Sequence, residues 1–414
     1  LFLNGLTIHR NRIYHFAKGS TVKVPKGKPV YYTDVASHFL SELAENPISF
    51  DAEKVEYQFR NGDKGLQEIS FSAMQGNLIG ILGASGSGKT TLLNVLSGIY
   101  HPSSGNVRIN GIDVHTGREE LNGVIGYIPQ DDLLIEELTV FENLYFNAKL
   151  CFRDMDEDSL KAKVDLVLSN LGLINKKNLK VGSPFNKTIS GGQRKRLNIA
   201  LELIREPSVL FVDEPTSGLS SRDSENVMDL LRELTLKGKL IFVVIHQPSS
   251  EIYKMFDNVI ILDAGGYMVY SGNPVEAVMY FKRLDAQINS HIGECPVCGN
   301  VNPELIFNIL EAKVVDEYGN YTSQRKVSSE KWQEYFNQHS TKTEAKEVHI
   351  NPPKMLNIPG WVKQLRVFTV RDFLSKISNR QYLAITLLEA PVLAFILSYI
   401  IRYIADPATN RYIF

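Results

Sequence analysis

Cysteine is scarce here: three in 414 residues, too few for a disulfide framework and in keeping with a reducing, cytosolic environment. Charge imbalance is lacking too. A formal net charge of −1 gives no bulk attraction to a polyanion, so nucleic acid is not an expected partner. No internal repeat or low-complexity tract is evident, and no signal-like segment or initiator Met stands at the N-terminus. Leu1 and Phe414 are therefore expected to be ends cut from something longer. Hydrophobic runs long enough to cross a bilayer are also few: one, Tyr382–Ile401. The length allows one large α/β domain with appendages.

The strongest positive signal is Gly83-Ala84-Ser85-Gly86-Ser87-Gly88-Lys89-Thr90-Thr91, directly after the apolar run Leu78-Ile79-Gly80-Ile81-Leu82. A G-x-x-x-x-G-K-[ST] loop leaving a strand is the phosphate-binding loop of nucleoside triphosphatases. Its glycines let successive backbone N–H groups turn toward phosphates, and the helix that follows aims its positive end at them. Lys89 is placed to reach the β- and γ-phosphates, with the Thr90 hydroxyl on Mg²⁺. The motif predicts ATP binding.

Two further strands deliver chemistry at their ends. Val209-Leu210-Phe211-Val212 reads as a buried parallel strand that ends in Asp213-Glu214, where open α/β sheets place ligands. Asp213 is expected to steady Mg²⁺, and Glu214 to orient or deprotonate the attacking water. The run Leu240-Ile241-Phe242-Val243-Val244-Ile245 delivers His246, able to hydrogen-bond a γ-phosphate or the water-activating carboxylate.

The neighbouring motifs carry a family resemblance. Ile189-Ser190-Gly191-Gly192-Gln193-Arg194-Lys195-Arg196 resembles the signature of ATP-binding cassette proteins, and lies between the phosphate loop and the acidic strand. Gly126-Tyr127-Ile128-Pro129-Gln130 matches the segment whose glutamine meets Mg²⁺. Asp213-Glu214-Pro215-Thr216-Ser217-Gly218-Leu219 and His246-Gln247-Pro248 complete the set. The resemblance implies an α/β fold: a P-loop cassette with a helical subdomain near residues 140–205 and a small antiparallel β-subdomain. It also implies that Ser190, Gly191, Gly192 and Gln193 cap the ATP held by an opposite subunit. The active unit is then a homodimer, or a heterodimer with another half-transporter. Catalytic roles fall to Glu214, His246 and Gln130, and Mg²⁺ to Thr90, Gln130 and Asp213.

One position departs from the family pattern. Ser220 stands where an Asp usually follows Gly-Leu, keeping a hydrogen-bonding oxygen but no charge. Tyr57 and Phe59, near the cassette's start, are candidates for stacking on adenine; packing inside the β-subdomain is the other reading, and the residues leave both open.

Tyr382–Ile401 matches the hydrocarbon thickness of a bilayer. Arg380 and Arg402 flank it, with Tyr382, Tyr399 and Tyr403 placed like interfacial anchors. Glu389 is expected to face other helices or water, not lipid. Trp361–Arg380 carries Lys363, Arg366, Arg371, Lys376 and Arg380 against Asp372, with Leu365, Phe368, Phe373 and Ile377 as an apolar stripe. Such a helix suits the inner membrane surface, and its basic excess puts the cassette on the cytoplasmic side.

Cassette first and membrane helix second resembles the G-type half-transporters of the White and sterol-exporter group. Ser249-Ser250-Glu251-Ile252-Tyr253-Lys254-Met255-Phe256-Asp257 after the histidine segment agrees, as does Asn302-Pro303-Glu304-Leu305-Ile306-Phe307. The expected organisation is an N-terminal extension (1–50), cassette (51–290), linker (291–360), connecting helix (361–381), first transmembrane helix (382–402) and the start of an extracytoplasmic loop (403–414). Asn351-Pro352-Pro353 is read as an extended break in the linker. Cys295-Pro296-Val297-Cys298 with His291 resembles half a zinc site. No second Cys pair completes it, so zinc is not expected. The implied function is ATP-driven transport, export by preference, of an unreadable substrate. The alternative is a soluble or membrane-anchored ATPase without a transport role; a soluble one has no reason to carry the C-terminal span.

Overall fold

The computed structural model describes residues 1–3, 6–16, 20–23, 30–32, 35, 47–183, 188–287, 290, 293, 295, 300–316, 318, 320–339 and 356–404. Asn351-Pro352-Pro353, His291, Cys298 and residues 405–414 lie outside them. The chain forms two compact units, Leu1–Asp132 with Arg205–Leu356, and Leu133–Ile204 with Asn357–Phe414.

In the first unit, the short strands β1 (Phe2–Leu3), β2 (Leu6–Thr7), β3 (Thr21–Lys23) and β4 (Val30–Tyr31) make a small antiparallel sheet. Then come β5 (Ser49–Gln58), β6 (Lys64–Met74), β7 (Leu78–Gly83), the helix α1 (Lys89–Leu96), β8 (Ser104–Ile109), β9 (Ile112–Asp113) and β10 (Ile125–Ile128). The chain passes to the second unit as α2 (Val140–Cys151), α3 (Glu157–Asn170) and α4 (Gly191–Leu203). It returns as β11 (Val209–Asp213), α5 (Ser221–Leu236), β12 (Leu240–Val244), α6 (Ser250–Tyr253), β13 (Asn258–Asp263), β14 (Tyr267–Gly272) and α7 (Pro274–Leu284). After these come α8 (Glu304–Leu310), β15 (Lys313–Val315), β16 (Tyr321–Arg325) and α9 (Ser329–His339).

The main sheet runs β10-β11-β12-β7-β13-β14, with β14 alone antiparallel. Every residue of β7, β11 and β12 is buried. Strands covered on both faces need apolar side chains throughout, which is why these runs show no alternation. The register sets Asp213 beside Val244, so the β11 and β12 ends open side by side.

A second sheet, β6-β5-β8-β9, is antiparallel. Phe50 joins it to the main sheet: its ring centroid lies 4.9 Å from Phe242 and 5.9 Å from Phe211, which stack on each other at 5.1 Å. Each such ring contributes about 1.5–3 kcal/mol by burial. Beneath the sheet, buried Arg232 of α5 pairs with buried Asp257, whose carboxylate accepts the Leu78 N–H at 2.7 Å. A buried carboxylate with two donors is satisfied where an isolated one is costly.

In the second unit, Thr139 starts α2 through a capping box with Glu142. Against α2 docks α10 (Trp361–Ser378), where Val367 is buried with Leu138 and Phe146. Ser375 and Asn379 donate to the Glu137 carboxylate at 3.2 and 3.0 Å. Leu365, Phe368, Phe373 and Ile377 stay exposed, so the apolar stripe is not what holds α10 to α2. Next comes α11 (Arg380–Ile404), with Pro391 inside it. Its Arg380–Ile401 portion has mean hydropathy 2.1, none of it buried. Among the described residues it alone is long and apolar enough to cross a membrane.

Candidate nucleotide site

The phosphate loop leaves β7 at Gly83 and turns through Gly86 and Gly88, at φ 76° and 94°. Only glycine adopts that backbone without strain, and space forbids more at Gly88. A Cβ there would sit 2.9 Å from the Gly65 carbonyl oxygen and 3.2 Å from Leu66. Gly88 leaves α1 without a side-chain cap, and no acid stands in the first turn. The first N–H groups of that helix are thus available to an anion, with the dipole favouring it. Inside the loop, the buried Ser87 hydroxyl has no hydrogen-bond partner. A bare helix start, an unsatisfied hydroxyl and a glycine-only cradle fit a polyphosphate.

Lys89 folds its ammonium over the loop, donating to the Gly83 and Ala84 carbonyls at 2.9 and 2.8 Å. Burial lowers its pKa foremost, and the Glu214 and Asp213 carboxylates oppose that. The Thr90 hydroxyl donates to Asp213 at 3.5 Å, an approach wide enough to admit a shared ligand. Asp213 is itself buried at the end of β11. An alcohol and a carboxylate side by side, with an amide close by, are the oxygen donors that magnesium takes.

Glu214 takes φ 41°, and its N–H donates to the Val244 carbonyl at 3.0 Å. Its carboxylate accepts from the Gln130 amide at 3.0 Å. One strand over, Gln247 adopts φ 45° directly after His246. Left-handed backbone at two non-glycine residues on adjacent strand ends is strain of the kind that collects at functional sites. His246 is exposed there. Hydrogen bonds thus join Thr90 to Asp213 and Gln130 to Glu214 and fold Lys89 onto the loop, and His246 follows β12, the strand beside β11.

Tyr57 and Phe59 meet edge to face at 5.1 Å. Both border Gly65, where a Cβ would meet Phe59 at 2.6 Å and Tyr57 at 3.2 Å. The Gly65 carbonyl in turn abuts Gly88, so the aromatic pair stands beside the phosphate loop. Tyr100, which no motif marked, stacks on Tyr57 at 5.4 Å and 14°. Tyr127 donates to Asn94 of α1 at 3.0 Å, and burial foremost, with Asp213 and Tyr100, pushes its phenol up to about 12.

The signature lies in the second unit. Ser190 caps α4 by accepting the Gln193 N–H at 3.2 Å, and Gln193 accepts the Ser190 N–H at 2.9 Å. Gly191 and Gly192 form the first turn, leaving backbone donors uncrowded by side chains. Ser220 likewise caps α5, accepting the Asp223 N–H at 3.2 Å and donating to the Asp223 carboxylate at 3.1 Å. Among the described residues no group of three or more His, Cys, Asp or Glu is placed to hold a metal.

The fold and this site define an ATP-binding cassette, a nucleotide-binding P-loop domain. Residues 66–217 match the family model described as ABC transporter, and residues 246–332 one described as ABC-2 type transporter. The second match covers α6 to the start of α9 and stops short of α11. ABC transporter G family member 4 of Dictyostelium discoideum is 33% identical over 76% of this chain and 38% of its own length. Protein white of Drosophila melanogaster is 38% identical over 58% of this chain and 34% of its own. The solved structure of cbiO1 from Clostridium perfringens, part of an ABC transporter complex, matches with TM-score 0.50 and 27% identity. That likeness covers 58% of this chain and 97% of the other.

The chain is thus similar to transporters of the ATP-binding cassette family, and several of the relatives it matches are named as members of the G family. It spans between 21% and 38% of the length of the curated relatives it matches.

Proposed function

We propose that the chain binds and hydrolyses ATP in a cassette dimer, and that the cycle drives a substrate across a membrane. The convergence of Lys89, Thr90–Asp213 and Gln130–Glu214 at the carboxyl ends of parallel strands carries this reading. Lys89 exchanges its two loop carbonyls for β- and γ-phosphate oxygens, and the α1 N–H groups bind the same phosphates. Thr90, Gln130 and Asp213 are the residues that would hold magnesium, which would neutralise charge on those phosphates. Glu214 orients the attacking water and takes its proton, and His246 donates to the γ-phosphate from the neighbouring strand. Tyr57 and Phe59 offer the adenine ring a platform.

Ser190 and the α4 start supply the anion site that completes the ATP site of a second cassette. The resemblance to G-type half-transporters supports that dimer, as homodimer or heterodimer. The exposed apolar α11 supports membrane transport over a free ATPase.

The test is Glu214→Gln in the full-length protein reconstituted in lipid vesicles. ATP binding should persist while hydrolysis falls by about 10²–10⁴-fold. Wild-type turnover in that variant would remove Glu214 from the base role. A wild-type protein that binds no ATP would sink the whole reading.

A further inference from the structure

The proposed hydrolysis uses nothing from β16 and α9, yet these are bolted to the cassette beside its phosphate loop. The fastening is ionic. Arg325, closing β16, donates through Nη1 to both oxygens of Asp263, at 2.8 and 3.0 Å. The Asp263 side chain is only 2% exposed, so a single guanidinium offsets a carboxylate that the protein interior would otherwise penalise.

Asp263 ends β13 and starts a tight turn. Its Oδ1 accepts the Ala264 N–H at 2.8 Å, and its carbonyl accepts the Gly266 N–H at 3.2 Å. The turn is tied to β6 by Gln67, whose backbone N–H donates to the Gly266 carbonyl at 3.0 Å. The contact is closest at Gly266: a Cβ there would stand 2.3 Å from the Gly65 carbonyl oxygen. The same oxygen bounds Gly88, whose own Cβ would lie 3.6 Å from the Gly266 Cα. Three glycine backbones therefore touch in series, from the turn to the phosphate loop. On the outer side, α9 braces the same place. Tyr267 donates to Glu330 at 3.0 Å, and the Gln333 amide donates to the Glu68 carbonyl at 3.2 Å.

We infer that Arg325 is a positioning residue for the nucleotide site. By neutralising Asp263 it fixes the Asp263–Gly266 turn, which through Gly65 holds Gly88 in its left-handed conformation. Gly88 in turn decides where the first N–H groups of α1 point. Phosphate binding then depends on a side chain from outside the sheet that carries the loop. This inference rests on the cassette binding and hydrolysing ATP.

A fastening role alone would alter stability and leave ATP affinity untouched, so the two are separable. In the full-length protein, Arg325→Ala should raise KM and Kd for ATP on the order of tenfold while kcat stays within about twofold. Arg325→Lys keeps the charge on a single-point donor and should recover part of the loss. Lys326→Ala cuts the adjacent ion pair to Asp285 and should leave ATP affinity as in wild type.

Should Arg325→Ala fail to fold, Arg325→Lys and Arg325→Gln carry the same comparison. A lowered melting temperature with wild-type ATP affinity in the Arg325 variants overturns the inference. So does an equal loss of affinity in Lys326→Ala. Absence of ATP binding in the wild type is a different result: it removes the cassette reading first and this inference with it.

Discussion

The Gln130 side-chain amide donates to the Glu214 carboxylate at 3.0 Å, so two residues far apart in sequence hold each other at the end of β11. Gln130 thereby fixes the group read as the base. Gln130→Ala should lower hydrolysis by about 10–100-fold, the usual effect of removing an outer partner of a reacting or metal-held group. ATP binding measured without magnesium should stay within about twofold of wild type. An equal loss of binding with and without magnesium would show that Gln130 acts on the nucleotide instead.

Ser220 occupies the family's usual Asp position for a local reason. Its hydroxyl donates to Asp223 while accepting the Asp223 N–H, and a carboxylate can do only the second. Ser220→Ala should cost about 1 kcal/mol as a lost helix cap. Ser220→Asp should gain little over it, since two carboxylates then meet across the first turn. Adding Asp223→Asn should restore stability beyond the sum of the single changes, a coupling that thermal melts in a double-mutant cycle would read.

Tyr127 gives a pH prediction with a definite sign. Its folded pKa is raised from 10.0 to about 12, so the folded state retains a proton that the unfolded chain releases. The stability this supplies is whole below pH 10 and is lost as pH rises toward about 12. Tyr127→Phe should make alkaline unfolding shallower over that window. An unchanged alkaline limb would show that the phenol near Asn94 is not shielded as the structure has it.

Much of the site was legible because its chemistry is local. The phosphate loop, the β11 acids and the signature cap are short segments whose backbone conformations follow from their own glycines, serines and strands. Tyr100 on Tyr57 and Arg325 on Asp263 are long-range pairs that no spacing rule reaches. The docking of α10 was hidden differently. Helical spacing marked Leu365, Phe368, Phe373 and Ile377 as a stripe for the membrane surface, and they stay exposed, but it did not mark Val367, which makes the buried contact. Glu214 was readable as an acid after a strand, but not as a residue held at positive φ, which the Val244 carbonyl on the next strand helps fix.

Phe50 has a mechanical consequence. Its ring packs against Phe211 and Phe242, so sliding the sheet bearing Tyr57 over the sheet that launches the phosphate loop would part these rings. In such close packing a slip of even a methylene's width is resisted. The aromatic pair and the loop glycines are the two jaws of a fixed gauge. A ligand touching both must match their separation, which the Phe50 packing sets.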